Sequence, residues 1–343
     1  MITRFVRPAS AQEALRIQKE TANAVFIAGG THLLSSAFRD RPMAAVSVEG
    51  LLPREIRASA ELLSIGALAT LQELVDSGAA DGVGESVAAP GGGSAAAAAF
   101  PSAARGASPA AETAGPELAL LRDAASSMGS RNLRNRATVG GNVAANKASA
   151  CLAPALLALD ARLLLAGGTR RTVADYLAAP GALIEAVEVP LVRGRAAAYR
   201  RWARTESDIS GVAVAVTLRL SEGVAAEVRI AATGVRAQTV GSAAAASGLA
   251  AAPGAARLTA VEALFEGRSL PTRTEIERAV LPLLDAAGDI RASAAYRRLR
   301  AAQLIADALL GAAAHAGVSA GAAAHAGATA PGLERGRGKE SAR

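Results

Sequence analysis

The period of apolar and polar positions changes several times along the chain, and each change marks an element. Ser10-Ala-Gln-Glu13 has the spacing of a capping box and opens an Ala- and Leu-rich helix. Ala24 to Ile27 is uniformly apolar, which suits a short buried strand, and it stops at Gly29-Gly30 ahead of a stretch with helical character. Short strands are expected near Ala45 to Val48 and Leu62 to Ile65. Thr70-Leu-Gln-Glu73 repeats the capping-box spacing, so a helix follows Ala69. Residues 79–115 are small, polar and Gly-rich with no period. Such a segment buries too little apolar area to order itself and predicts a flexible surface insertion.

A helix resumes over Glu117 to Ser127, and the basic run SRNLRNR leads into a second glycine turn, ATVGGN. A Leu-rich helix is expected over Pro154 to Leu159, strands near Arg162 to Leu165 and Leu183 to Val189, and a boundary around Pro190 to Arg195. Beyond it Val212, Val214, Val216, Leu218 and Leu220 alternate, forming one face of a half-buried strand that Ala225 to Ala232 can pair with. Helices are predicted over Thr274 to Ala287 and Ile290 to Leu310, and the Ala/Gly repeats from Gly311 predict a disordered tail. The pattern is α+β. It divides into 1–192 with the 79–115 insertion, a smaller domain at 196–310, and a tail at 311–343.

Composition narrows the chemistry. The net charge of +7 rests on arginine, since Lys19, Lys147 and Lys339 are the only lysines among 37 basic residues. With 3% aromatic residues there is no interleaving of stacking rings and cations of the kind single-strand binders use, so nucleic acid is not an expected partner. No stretch offers 18 clean apolar residues for a membrane span, and the opening MITRFVRPAS lacks the apolar core of a signal peptide. One cysteine, Cys151, precludes an internal disulfide and points to a reducing compartment, the cytoplasm. Histidines are His32, His315 and His325, and neither CxxC nor HExxH occurs. A cysteine-ligated iron-sulfur cluster takes about four thiolates, so any such centre would sit on a partner.

Candidate chemistry therefore gathers at the two glycine turns. In AVFIAGGTHLL, backbone N–H groups at the end of an apolar strand can line a concavity for an anionic diphosphate, with glycine allowing close approach and positive φ. ATVGGN repeats this arrangement and adds the Thr138 hydroxyl and Asn142 amide, which can reach phosphate and ribose oxygens. Neither is a P-loop or a G-x-G-x-x-G fingerprint. A Gly-Gly turn after a strand is also often purely structural, so spacing alone leaves both readings open.

AGGTHLL, SIGALATLQEL, GSRNLRNRATVGGNVAAN followed by APALLALDA, RTESDIS and DIRASAAYRR, in that order, resemble the FAD-binding subunits of molybdenum hydroxylases such as xanthine and carbon monoxide dehydrogenases. The resemblance covers nearly the whole chain outside 79–115 and the tail. It implies a two-subdomain FAD-binding fold of the vanillyl-alcohol-oxidase (PCMH) type followed by a small α+β C-terminal domain. The cofactor implied is FAD, with the molybdenum cofactor on a large partner subunit and [2Fe-2S] clusters on a small one, and with NAD or another acceptor. The implied FAD-binding residues are Ala28, Gly29, Gly30, Thr31, His32, Leu33 and Leu34 around the diphosphate, and Thr138, Gly140, Gly141 and Asn142 in the second loop. The resemblance also implies Met128 as a bulky group near the cofactor and Ile184 and Arg200 near the isoalloxazine; Met128 and Ile184 also fit as core, and Arg200 as a surface charge. Two residues depart from the family pattern: His32 stands where Asp, Gln or Ser is usual, and Cys151 where many relatives have an aspartate. The implied activity is electron transfer within a complex; a scaffold that has lost FAD and a self-contained flavin oxidoreductase are the alternatives.

Overall fold

The computed structural model describes residues 2–35, 41–77, 115–147, 149–238 and 254–327, with side chains described as far as 316. Within 79–115, expected to be an insertion, all but Gly115 lie outside the described residues, as do 328–343 of the expected tail.

The chain begins with β1 (Ile2–Val6), α1 (Ala11–Glu20), β2 (Ala24–Ile27) and β3 (Met43–Ser47), and these strands form a parallel sheet in the order β1-β3-β2. Ser10 caps α1 by accepting from the Glu13 amide at 3.1 Å, while the Glu13 carboxylate reaches one residue further back, to the Ala9 amide. A second sheet contains β4 (Ile56–Ala58), β5 (Leu62–Gly66), β6 (Arg162–Leu165), β7 (Arg170–Thr172) and β8 (Ile184–Pro190) in the antiparallel order β4-β5-β8-β6-β7. Between β5 and β6 run α2 (Leu71–Asp76), α3 (Gly115–Ser126), α4 (Arg131–Arg134), α5 (Val139–Ala144) and α6 (Leu152–Ala158), and α7 (Val173–Ala178) follows β7. The capping box at α2 is complete, with both Thr70 and Glu73 engaged.

The third sheet is built from β9 (Arg195–Trp202), β10 (Val212–Ser221) and β11 (Val224–Thr233), extended by short strands at Ala256–Arg257 and Arg268–Ser269. The expected alternation is present: Val212, Val214, Val216 and Leu218 pack with Ile305, Leu309 and Ala312 in one core. The sheet is not half-buried, however. Ala213, Ala215 and Ala231, on the opposite face, belong to the core that also contains Leu121 and Leu156. Alanines at the intervening positions leave room for α3 and α6 to dock closely, so both faces are covered. The join is also polar: the Thr217 hydroxyl donates to Ala158 O at 2.8 Å, and the buried Arg195 guanidinium meets the buried Glu117 carboxylate at 3.3 Å.

Two expected helices have other limits. α8 (Thr259–Glu262) precedes α9 (Arg273–Val280), which ends well before Ala287 because Pro282 cannot continue the hydrogen-bond ladder; the chain passes through one 3-10 turn into a short strand. α10 (Ala294–Gly327) starts after Ile290, since the Asp289 carboxylate takes the amides of Arg291 and Ala292 and bends the chain first. It also runs through the expected disordered tail to Gly327. The reason is packing: Ala312 is fully buried, and an imidazole nitrogen of His315 lies 3.2 Å from Ala197 O.

Candidate functional site

The two glycine turns come together in space, and glycine is what allows it. A Cβ on Gly29 would stand 1.6 Å from the carbonyl oxygen of Arg136, just before the second turn, so the two backbones cross with no room for a side chain. Gly30 has φ +72°, a left-handed conformation that glycine adopts without strain. Beyond it the chain makes turns rather than the expected helix, with Leu34 N donating to Gly30 O at 3.0 Å and Ser35 N to His32 O at 3.1 Å. The amides of Gly29, Gly30, Thr31 and Leu33 donate to no described residue.

The second turn is wired differently. Val139 N donates to Ala69 O at 2.8 Å, Gly140 N to Ala67 O at 2.9 Å, Gly141 N to the Thr138 hydroxyl at 3.1 Å, and Asn142 N to Thr138 O at 2.8 Å. Every amide at the start of α5 is thus already used, so the expectation that this turn presents its N–H groups to a phosphate is corrected. Its glycines serve closeness instead: a Cβ on Gly140 would come within 2.7 Å of the Ala67 Cβ. The Asn142 side chain is also engaged, accepting from Leu152 N at 3.3 Å and donating toward Cys151 Sγ at 3.5 Å.

Between the turns lies a cavity of about 620 Å³, within the range of sites that enclose a sizeable organic ligand. Ala28 through Leu33, Met128, Thr138, Gly140, Gly141, Asn142 and Ile184 line it. Met128 and Ile184 also touch the core, so their two readings merge. Leu34 and Arg200 are not brought to the cavity. Leu34 is 63% exposed, its Cδ1 lying over Gly30. Arg200 is excluded by the strand's period of two: Ala197 and Tyr199 face the core below the cavity, whereas Arg200 shares the face of Ala196 and Ala198 and lies against Gly311 of α10. Trp202 is on that same face and meets Tyr296 edge-on at 5.0 Å.

Electrostatics grade the cavity. Burial and then the charge of Lys147 hold the His32 imidazole below the usual histidine range, and burial lowers the Lys147 ammonium as well. Burial pushes the Cys151 thiol up to about 12, so it stays protonated at neutral pH. Asp208, also on the lining, is paired with Arg204 at 2.7 Å. Arg134 braces the wall, its guanidinium donating to Gln72 Oε1 at 2.9 Å and to Met128 O at 3.0 Å.

Sequence reasoning missed Lys147, the Ser207–Ser210 segment and Tyr176 as cavity residues. A lysine in a chain that otherwise uses arginine was an available signal for the first, and the RTESDIS motif for the second; Tyr176 reaches the cavity only through tertiary folding.

Residues 1–192 match the family model described as "FAD binding domain in molybdopterin dehydrogenase". The uncharacterized protein YgfM of Escherichia coli (strain K12) is 29% identical over 309 residues, covering 90% of this chain and 95% of that protein. Among solved structures, the chain is similar to a carbon monoxide dehydrogenase from Hydrogenophaga pseudoflava, which lacks the Mo-pyranopterin moiety of its molybdenum cofactor. The TM-score is 0.69 at 24% identity, covering 91% of this chain and 97% of that one. It is also similar to quinoline 2-oxidoreductase from Pseudomonas putida 86, with TM-score 0.67 at 22% identity, 91% of this chain and 97% of that one. These likenesses establish the fold, the α+β FAD-binding type implied by the sequence motifs. The family match over more than half of the chain then gives its membership: this protein belongs to the FAD-binding domain family of molybdopterin dehydrogenases, as an FAD-binding subunit of the molybdenum hydroxylase type.

Proposed function

We propose that this chain is the electron relay of a cytoplasmic molybdenum hydroxylase complex. It takes electrons from [2Fe-2S] clusters on a small partner, fed by a molybdenum cofactor on a large one, and delivers them to NAD or another acceptor. The observation that carries the reading is the first glycine turn: four cavity-lining residues, Gly29, Gly30, Thr31 and Leu33, whose amides have no acceptor among the described residues. Backbone N–H groups at such a concavity suit a diphosphate, and the Gly29 crossing leaves no side chain in the way. Bound there, FAD supplies the exchange of electrons between one-electron and two-electron carriers.

In this reading Ala28 to Leu33 hold the diphosphate, and Thr138, Gly140, Gly141 and Asn142 form the opposite wall. Met128 and Ile184 give the apolar contact that excludes water. Leu34 and Arg200 support from outside, Leu34 over Gly30 and Arg200 against α10. No proton-transfer side chain is required of the protein, whose part is position and electrostatics. The chain's single cysteine cannot ligate an iron-sulfur cluster, so the clusters belong to a partner.

The absorbance spectrum of the purified protein is the test. Flavin bands at close to one per chain are expected, and purine or aldehyde oxidation should appear only on co-expression with the two partners. A colourless protein unable to take up FAD would favour the scaffold reading. Turnover of an organic substrate by the single chain would favour a self-contained flavoenzyme.

A further inference from the structure

Lys147 belongs to none of the motifs that carry the family resemblance, yet it lies on the cavity lining with Thr31 and His32 of the first turn. Hydrogen bonds hold the described residues on either side of it. Asn146 adopts a left-handed φ of 42°, its side-chain amide donates to Leu177 O at 2.9 Å, and Ala150 N closes the turn onto Lys147 O at 3.0 Å. Among the described lining residues, Lys147 is the one lysine or arginine, and the Asp208 carboxylate is already engaged by Arg204. Its positive charge helps to lower the His32 imidazole, in keeping with their shared place on the cavity lining.

Resting on the reading of this cavity as the FAD site, we propose that Lys147 is a cofactor-positioning residue that pairs with the diphosphate held by the amides of Gly29, Gly30, Thr31 and Leu33. A dinucleotide is thereby favoured over an uncharged flavin. The amides offer fixed dipoles and no net charge, whereas a diphosphate brings negative charge to a largely apolar cavity. A charge-assisted contact from one ammonium offsets part of that charge. His32 does not fill that role at neutral pH, because its imidazole is held below the usual range by burial and by Lys147 itself.

Flavin-free protein titrated with FAD, ADP and riboflavin, each at low and high salt, tests the assignment. For Lys147→Gln the dissociation constants of FAD and ADP should rise about tenfold, the scale of one partly exposed charge contact. Their salt dependence should flatten, and riboflavin binding should be unchanged. Lys147→Arg, which keeps the charge, should restore most of the affinity. Unchanged FAD affinity and salt response in Lys147→Gln would overturn the assignment while leaving the flavin site standing, as would an equal loss for riboflavin. Wild-type protein that binds none of the three would remove the flavin reading and this assignment together.

Discussion

The two glycine turns look alike as sequence, and the structure gives them different work. The amides of Gly29, Gly30, Thr31 and Leu33 have no acceptor among the described residues, so the first turn can serve as a rim of donors. At 139–142 every amide is consumed, by Ala67, Ala69 and Thr138, and the turn serves as a rigid wall whose glycines permit close approach. A Gly-Gly pair thus says that a backbone comes close to something. Whether that something is a ligand or another strand of the same protein depends on where the amides go.

The largest effect expected from breaking this contrast is at the crossing itself. Gly29→Ala puts a methyl 1.6 Å from Arg136 O, a backbone atom, so the turns must separate. Flavin should be lost, with destabilisation on the order of 3 kcal/mol or more, read by absorbance and thermal melting. Next in size is a pH effect at the wall. Cys151, held by Asn142 of the second turn, keeps its proton to about pH 12 in the fold, and its unfolded form releases it near 9. Across that window the unfolded state binds fewer protons, so stability should fall with rising pH by up to about 1.4 kcal/mol per unit. Cys151→Ala should lack this slope in chemical denaturation between pH 9 and 11.

Gly140→Ala should cost about 1–3 kcal/mol through its contact with the Ala67 Cβ, and Ala67→Gly in the same chain should recover part of it. Recovery of flavin binding in the double variant would place the damage in packing rather than in a lost donor. The smallest effect is expected at Thr138→Ala, which removes one cap from Gly141 N: about 1 kcal/mol of stability, with flavin affinity changed less than tenfold.

Much of this was legible in the sequence. β2 and β6 follow their apolar runs, and the Thr70 capping box forms as its spacing requires. What was not legible depends on partners far along the chain. Alanine at 213 and 215 looks like an indifferent strand face until α3 and α6 are set against it. The Ala-rich stretch beyond Gly311 has the composition of a loose tail, yet it is helix because Ala312 and His315 meet β9 and its neighbours. Arg200 stands shortly ahead of the RTESDIS motif that resembles the family, but its even position on β9 turns it toward α10. The use of the α5 amides likewise depends on Ala67 and Ala69, some seventy residues earlier.

Amide hydrogen exchange, measured residue by residue with and without FAD, tests the division of labour between the turns most directly. Val139 to Asn142 should exchange slowly in both states, because their amides are bonded before any ligand arrives. Gly29, Gly30, Thr31 and Leu33 should exchange fast without FAD and become protected when it binds. Fast exchange at 139–142 that FAD alone suppresses, with no change at 29–33, would reverse the assignment of donor rim and wall.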